Sequence, residues 1–190
     1  MPTLVLLNGP PASGKSTLAR RLVETRPLAL NLDIDVVRGL LGGWLEDPNA
    51  GGLAARSLAL AMASTHLDRG HDVVIPQFLA RVEFIDELQR VTVAAGALFV
   101  EIALTLGRDE ALRAFDRRRA APDDHTHADA AALVDRSSEP DPVGAMYDRF
   151  NEALALRPDA KRVAVEIGDI DGTLERVRTA IEFSVERQHS

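Results

Sequence analysis

One short segment constrains the fold of this chain more than any other feature: residues 9–16 read GPPASGKS and match the pattern G-x-x-x-x-G-K-[ST] at every fixed position. A continuous apolar run over residues 3–7 precedes the segment, and a helix-like pattern begins at Lys15. Such apolar runs are typical of strands that are buried on both faces. The sequence therefore predicts a buried strand, a glycine-rich turn and a helix in immediate succession.

The spacing within this turn suits the binding of phosphate groups. Glycines allow backbone N–H groups to curl around an anion, and the N-terminus of the following helix adds a positive dipole. In this pattern the lysine reaches the β- and γ-phosphate oxygens, and the Ser16 hydroxyl ligates Mg2+. The alternative is a glycine-rich surface turn with a solvated lysine. We expect ATP and Mg2+ to bind here, with contacts from the turn and the start of its helix: Gly9, Ala12, Ser13, Gly14, Lys15, Ser16 and Thr17.

The rest of the chain alternates between apolar runs of strand length and stretches of helical periodicity. Further strands are predicted at residues 28–32, 72–75, 97–106 and 162–167, and further helices at 36–41, 53–68, 81–95, 143–156 and 173–186. Residues 42–52, rich in glycine and proline, are predicted to form a loop. Alternating strands and helices require a mostly parallel sheet that helices cover on both faces. We therefore expect one α/β domain of three layers over residues 1–190, with a five-stranded parallel sheet.

Two carboxylates follow the second predicted strand. Asp33 and Asp35 would lie beyond the carboxyl end of that strand, where parallel sheets bind their ligands. A carboxylate at this place can accept the proton of a hydroxyl group and orient its oxygen towards a phosphate. Alternatively, Asp35 caps the helix predicted over residues 36–41, and Asp33 is a turn residue or reaches Mg2+ through water.

Residues 108–141 differ in character from the rest of the chain, and we expect them to form a mobile lid inserted in the domain. Arginines crowd the first half, and an acidic stretch with His125 and His127 follows. Arginines can neutralise the charge of a bound phosphate, although a run of them is also typical of a solvated helix face. The two histidines lack thiolate partners, so a solvated loop is favoured over a metal site. The arginines are Arg108, Arg113, Arg117, Arg118 and Arg119.

Most of the chain resembles the small P-loop kinases that include polynucleotide 5′-kinases, chloramphenicol phosphotransferase, zeta-toxin-like sugar-nucleotide kinases and gluconate kinases. The loop ending in Gly14-Lys15-Ser16 is the specific part of this resemblance. An acid followed three residues later by arginine, Asp35 and Arg38, is similar to the D-x-x-R of polynucleotide kinases. The other features are the third strand at residues 70–75, the arginine-rich segment and the turn at 166–169.

This resemblance implies a sheet order of 2-3-1-4-5 and a role for several side chains. Asp35 would be the general base for an acceptor hydroxyl, and Arg38 would bind a phosphate of the acceptor or the donor. Arg113 and Arg117 would stabilise charge on the transferred group, and Arg119 would contact the nucleotide. The family often has L-x-x-R in this segment, whereas Leu112 is followed three residues later by Phe115, which leaves the register of the catalytic arginines open.

Gln77 is a departure from these kinases, which commonly place an aspartate after the third strand. A neutral amide can hold a water or a substrate hydroxyl but anchors Mg2+ poorly, so Mg2+ would depend on Ser16, waters and the phosphates. Asp33, Gln77, Phe78 and Trp44 are expected to border the acceptor. Both Trp44 and Phe78 also fit a simple packing role.

The overall charge and residue content restrict the partners of the chain. A net charge of −7 disfavours extended binding to nucleic acid, which needs many cationic contacts. No cysteine is present, which excludes disulfides and thiolate chemistry, and no apolar run approaches the roughly 20 residues of a membrane span. We expect a cytoplasmic protein that binds a nucleotide and does not contact a membrane.

The leading interpretation is an ATP-dependent kinase that phosphorylates a hydroxyl of a small-molecule, nucleoside or nucleotide-like acceptor. A nucleoside monophosphate kinase is an alternative, because its acceptor is a phosphate and needs arginines more than a base. A nucleotide-binding switch or regulatory ATPase is a third, although the sequence shows no segment that the γ-phosphate would order.

Overall fold

The computed structural model describes residues 1–121 and 125–188 of the chain. Asp123 and Asp124 of the predicted lid lie outside the described residues. None of the helices within the described ranges is both long enough and apolar enough to cross a membrane. In chain order the elements are β1 (Thr3–Asn8), α1 (Lys15–Val23), β2 (Leu30–Asn31), α2 (Ile34–Gly39), α3 (Pro48–Asp68), β3 (Val73–Gln77), α4 (Val82–Ala94), β4 (Leu98–Thr105), α5 (Arg108–Ala120), α6 (His125–Asp135), α7 (Pro142–Ala155), β5 (Lys161–Ala164) and α8 (Ile170–Gln188).

The described strands form a parallel sheet in the order β2-β3-β1-β4-β5, which confirms the predicted order and direction. In the register of the sheet, Asn8 at the end of β1 lies opposite Gln77 of β3 and Ala103 of β4. All strands run in one direction, so their carboxyl ends share one edge of the sheet. The segments that follow β1, β2 and β3 therefore meet at that edge.

Apolar side chains of β1 alternate between the two faces of the sheet. Leu4 and Leu6 pack in a cluster with α2, α3 and α4, whereas Val5 and Leu7 pack in a cluster with α1 and α8. This is the period of two expected of a strand that is buried on both faces. The expected three layers, helix, sheet and helix, are confirmed.

The loop predicted over residues 42–52 is wrong in its second part, because α3 begins at Pro48. The Asp47 carboxylate caps this helix by accepting a hydrogen bond from the backbone N–H of Ala50 at 3.0 Å. Proline suits the first turn of a helix, where its missing N–H would have no partner. The proline and glycines that indicated a loop here belong to the start of a helix.

The described part of the predicted lid is largely helical. α5 and α6 cover most of it, and an ion pair of 2.6 Å joins Arg119 of α5 to Asp135 of α6. His125 and His127 fall within α6, so the loop predicted for them is wrong. Arg136, just after α6, donates a hydrogen bond of 2.8 Å to the carbonyl of Leu45. The ion pair joins the two lid helices to each other, and the hydrogen bond holds the end of α6 against the α2–α3 connection.

Candidate functional site

A cleft of about 790 Å³ lies where the segments after β1, β2 and β3 meet. The start of α1 forms one part of its wall, and parts of α2, α3, α5, α6 and α7 complete it. Open α/β sheets bind their ligands at this edge. The predicted site residues that line the cleft are Ala12, Gly14, Lys15, Ser16, Thr17, Asp33, Asp35, Arg38, Gln77, Phe78 and Arg117.

The glycine-rich turn after β1 takes its shape from residues in the left-handed conformation. Ala12 has a φ of 63° and Gly14 a φ of 84°. Gly14 caps α1 without a side-chain hydrogen bond, so the backbone N–H groups of the first turn stay available to a ligand. At Gly9, a Cβ would lie 2.9 Å from Ser13 Oγ and 3.0 Å from Leu104 Cβ. A side chain at Gly9 would force Ser13 and Leu104 to shift, so glycine favours the close packing of this turn, which has the shape of a phosphate-binding loop.

Asn8 anchors this loop to the segment after β3. Its Oδ1 accepts hydrogen bonds from the backbone N–H groups of Gly9 and Leu79, each at 2.9 Å. Its Nδ2 donates to the carbonyl of Leu79 at 3.0 Å, and the residue is 3% exposed. The bonds therefore place the loop relative to Gln77 and Phe78. The sequence indicated only the end of a strand at Asn8.

Lys15 folds back over the phosphate-binding loop. Its Nζ donates to the carbonyls of Gly9 and Pro10, at 2.9 and 2.7 Å, and to Ser13 Oγ at 3.3 Å. Burial, and then the charge of Arg118, lowers the pKa of Lys15 to about 7, although the nearby carboxylates of Asp35 and Asp33 oppose the shift. Phosphate oxygens in place of these neutral acceptors would favour the charged ammonium group.

Asp33 connects the loop to the end of β2. One carboxylate oxygen accepts a hydrogen bond of 3.2 Å from Ser16 Oγ, and the other caps α2 by accepting from the backbone N–H of Asp35 at 3.0 Å. The capping role considered for Asp35 thus belongs to Asp33. Burial, and then the charge of Asp35, raises the pKa of Asp33.

Asp35 and Arg38 form an ion pair of 2.9 Å across one turn of α2, with side chains 36% and 15% exposed. The guanidinium carbon of Arg38 also lies 4.4 Å from the ring centroid of Trp44. Trp44 is buried and does not line the cleft, which favours its packing role over contact with a substrate. Its ring supports Arg38, and Arg38 in turn orients the Asp35 carboxylate.

Gln77 and Phe78 reach the cleft from the end of β3. The Oε1 atom of Gln77 is buried and has no hydrogen-bond partner among the described residues. Phe78 packs against the cluster that contains Ala103 and Phe150, and so shares its surface between the core and the cleft. Gln77 therefore offers an acceptor oxygen to a ligand at this edge.

The lid arginines are not equivalent. Arg117 and Arg118 line the cleft, whereas Arg113 and Arg119 do not. Arg119 is paired with Asp135, as described above. The guanidinium carbon of Arg118 lies 5.4 Å from the ring centroid of Phe115, which also lines the cleft. The rotation of α5 turns Arg119 away from the cleft, and Arg113 lies one helical turn before Arg117.

The sequence reasoning missed other cleft residues, notably Arg56 of α3 and Arg149 of α7. Arg149 pairs with Glu139 at 3.1 Å. A local signal for Arg56 does exist, because it is the only charged side chain between residues 48 and 65, in a helix rich in alanine and leucine. A single charged side chain in such a helix indicates a position that faces a polar site.

A parallel sheet of this order, with a phosphate-binding loop after β1 and carboxylates after β2, defines a kinase-like P-loop domain. Residues 4–139 match a family model described as "AAA domain", and the chain belongs to this family. An adenylate kinase from Caulobacter sp. (strain K31) is 31% identical over 138 residues, which are 71% of this chain and 66% of that protein. The chain thus spans slightly less than two thirds of this relative.

Several solved structures share the fold at low sequence identity. A gluconokinase from Sinorhizobium meliloti 1021 superimposes with a TM-score of 0.65 at 12% identity, covering 99% of this chain and 96% of its own. The tunicamycin resistance protein of Deinococcus radiodurans gives a TM-score of 0.61 at 16% identity, with 96% of both chains covered. At such identities the likeness establishes the fold alone.

Proposed function

We propose that this chain is a kinase that uses ATP and Mg2+ to phosphorylate a hydroxyl group of a small-molecule or nucleotide-like acceptor. The observation that carries this proposal is that Asp35 lines the same cleft as Lys15 and Ser16 of the phosphate-binding loop. Transfer to a hydroxyl needs a carboxylate beside the bound phosphates, since the acceptor must lose its proton. Membership of the AAA domain family supports the use of a nucleotide.

On the donor side, the loop and the first turn of α1 would bind the triphosphate. Backbone N–H groups there have no partner within the helix, and the helix dipole favours an anion. The Lys15 ammonium group would exchange its bonds to Gly9, Pro10 and Ser13 for phosphate oxygens. Gly14 leaves the backbone of the cleft wall free of a side chain where the phosphates would approach, and Gly9 lets the loop pack closely against Leu104.

Ser16 and Asp33 fit Mg2+. A hydroxyl and a carboxylate within 3.2 Å of each other supply hard oxygen ligands, and the raised pKa of Asp33 indicates a negative charge that a cation would stabilise. Within the described residues, no group of three or more histidine, aspartate or glutamate side chains could hold a metal ion. The remaining ligands would be phosphate oxygens and waters. When bound, Mg2+ would neutralise charge on the β- and γ-phosphates.

On the acceptor side, Asp35 would take the proton of the acceptor hydroxyl. The acceptor oxygen would form a bond to the γ-phosphorus, while the bond from that phosphorus to the β,γ-bridging oxygen breaks and ADP leaves. Arg38 holds the Asp35 carboxylate through their ion pair. Arg117 and Arg118, on the lid side of the cleft, would stabilise charge on the phosphoryl group in transit.

A nucleoside monophosphate kinase is the second candidate, and its support is the relative described as an adenylate kinase. Its acceptor atom is a phosphate oxygen, which carries no proton at neutral pH and needs no general base. In that case the Asp35 carboxylate would have no chemical role and would repel the negatively charged acceptor phosphate. The position of Asp35 in the cleft therefore favours the hydroxyl kinase.

A panel of acceptors tests the proposal. Purified protein is incubated with MgATP and nucleosides, nucleoside monophosphates, sugar acids, sugars or hydroxyl-bearing antibiotics, and ADP release and the phosphorylated product are measured. We expect ADP release that depends on a hydroxyl acceptor, with the new phosphate on that hydroxyl. Phosphorylation of AMP to ADP as the efficient reaction would support the second candidate, and ATP hydrolysis unaffected by every acceptor would contradict both.

A further inference from the structure

Arg56 lies on the cleft wall. It projects from the middle of α3, is half-buried and lines the cleft. Its guanidinium carbon lies 5.7 Å from the ring centroid of Phe84. Among residues 1–121 and 125–188, no carboxylate forms an ion pair with it within 4.0 Å. Desolvation of a half-buried guanidinium group is costly, so an anion bound beside Arg56 would be stabilising.

The charges around Arg56 are unbalanced. Arg38 and Arg81 are the neighbouring cations, and Asp35 and Glu87 are the neighbouring carboxylates. Asp35 is already paired with Arg38. Burial, and then the two arginines, lowers the pKa of Arg56, although arginine stays protonated at neutral pH. The acceptor side of the cleft thus has more positive charge than its carboxylates neutralise.

The hydrogen bonding of Arg38 also indicates that an anion binds here. Its Nε atom is buried and donates to no hydrogen-bond acceptor among the described residues. A buried donor without an acceptor lowers stability, and such groups usually find a partner in the ligand or in water. An oxyanion between Arg38 and Arg56 would accept from both guanidinium groups.

The neighbours of Arg56 separate it from the ATP phosphates. The charges that act on Lys15 are those of Arg118, Asp35 and Asp33, whereas those that act on Arg56 are Arg81, Arg38, Asp35 and Glu87. Asp35 is common to both sets, so its carboxylate lies near both the loop lysine and Arg56. An acceptor whose hydroxyl meets Asp35 would extend away from the γ-phosphate towards Arg56.

We infer that Arg56 and Arg38 form an anion subsite for the acceptor, which is therefore a hydroxyl compound that also carries a carboxylate or phosphate group. This inference rests on the proposed function, because that proposal places the acceptor hydroxyl at Asp35. Neutral sugars, nucleosides and antibiotics are excluded as preferred acceptors. Arg56 acts as a specificity-determining residue.

Binding measurements test the subsite without turnover. The phosphate-binding loop is first filled with Mg2+ and a non-hydrolysable ATP analogue, so that added anions report on the acceptor side. Isothermal titration then compares D-gluconate with D-glucitol, and adenosine 3′-monophosphate with adenosine, with inorganic phosphate as the minimal anion. We expect at least one anionic member to bind tenfold or more tightly than its neutral counterpart, roughly the value of a charge-assisted hydrogen-bond pair.

Variants assign any such preference to Arg56. Arg56→Met keeps an apolar stem against Phe84 and removes the charge, so the preference should disappear, while Arg56→Lys should retain part of it. Arg69→Met is the matched control, because it removes the same charge from the exposed end of the same helix, outside the cleft lining. It should leave the preference unchanged. Equal binding of anionic and neutral compounds, or a preference that survives in Arg56→Met, would overturn the inference.

The same compounds separate this inference from the proposed function. Phosphorylation of a neutral acceptor as efficiently as its anionic counterpart would refute the subsite and leave the kinase proposal intact. An Arg56-dependent anion preference without phosphotransfer to any hydroxyl would support the subsite and count against the proposed function.

Discussion

Replacement of Asp35 by asparagine tests the proposed chemistry most directly. The amide keeps the size of the carboxylate and can still accept a hydrogen bond from Arg38, but it cannot take the proton of an acceptor. General-base catalysis contributes about a hundred- to ten-thousand-fold, so turnover should fall at least about a hundredfold. ATP affinity should change little, because its proposed contacts lie in the loop and α1.

The geometry of α2 separates this effect from a loss of stability. The Asp35–Arg38 pair is 36% and 15% exposed, and ion pairs that solvent can reach contribute about 0–1 kcal/mol. A hundredfold to ten-thousand-fold loss of rate corresponds to about 2.7–5.5 kcal/mol of activation free energy. Because Asp33 caps the helix, the helix start also survives the substitution. Weakened folding therefore cannot account for the expected loss.

The assay is acceptor-dependent ADP release at saturating MgATP, with ATP affinity measured by calorimetry on the same preparations. Asp47→Asn is the matched control, since it makes the same change at the cap of α3, outside the cleft lining, and asparagine caps helices as well as aspartate does. Control turnover should equal that of the wild type. If Asp35→Asn stays within a few-fold of the wild type, Asp35 is not the general base.

Further predictions concern the loop, its anchor, the cation and the lid. The pKa of Lys15 is about 7, and bound phosphates would favour the charged ammonium form. ATP binding above pH 7 should therefore take up a proton, and ATP affinity should fall as pH rises. Titration in buffers of different ionisation enthalpy measures this uptake, which should be absent in Lys15→Met; a flat affinity above pH 7 would contradict it. Asn8→Ala leaves the buried N–H groups of Gly9 and Leu79 without acceptors, so urea unfolding should show a loss of about 1–3 kcal/mol, and an unchanged midpoint would argue against the anchor. Asp33→Asn keeps the cap of α2 but removes a negative charge beside the Ser16 hydroxyl, so half-maximal activity should need more Mg2+; an unchanged requirement would remove Asp33 from the cation site. Amide hydrogens of α5 and α6 should exchange faster than those of β1 without nucleotide and slow down when it binds, and equal protection in both would refute a mobile lid.

Features that depend on local pattern were predictable from the sequence. The apolar run of β1, the glycines of the loop and the helical start at Lys15 lie next to one another in the chain, so their spacing alone indicates a phosphate-binding turn. Alternation of strands and helices predicts a parallel sheet, because connections between parallel strands must cross over. The placement of Asp33 and Asp35 at the carboxyl edge followed from that sheet.

Other features required the tertiary structure, because they depend on how helices are rotated and packed. The identity of the aspartate that caps α2 depends on the residue at which the helix begins. In the structure the cap is Asp33. Arg117 reaches the cleft and Arg119 does not, since the packing of α5 turns one face inward. Arg56 lies near Arg38 only because α3 packs against α2. Residues on separate helices come together through side-chain packing between elements. The hydrophobic periodicity of one helix does not predict which residues of another helix will lie beside it.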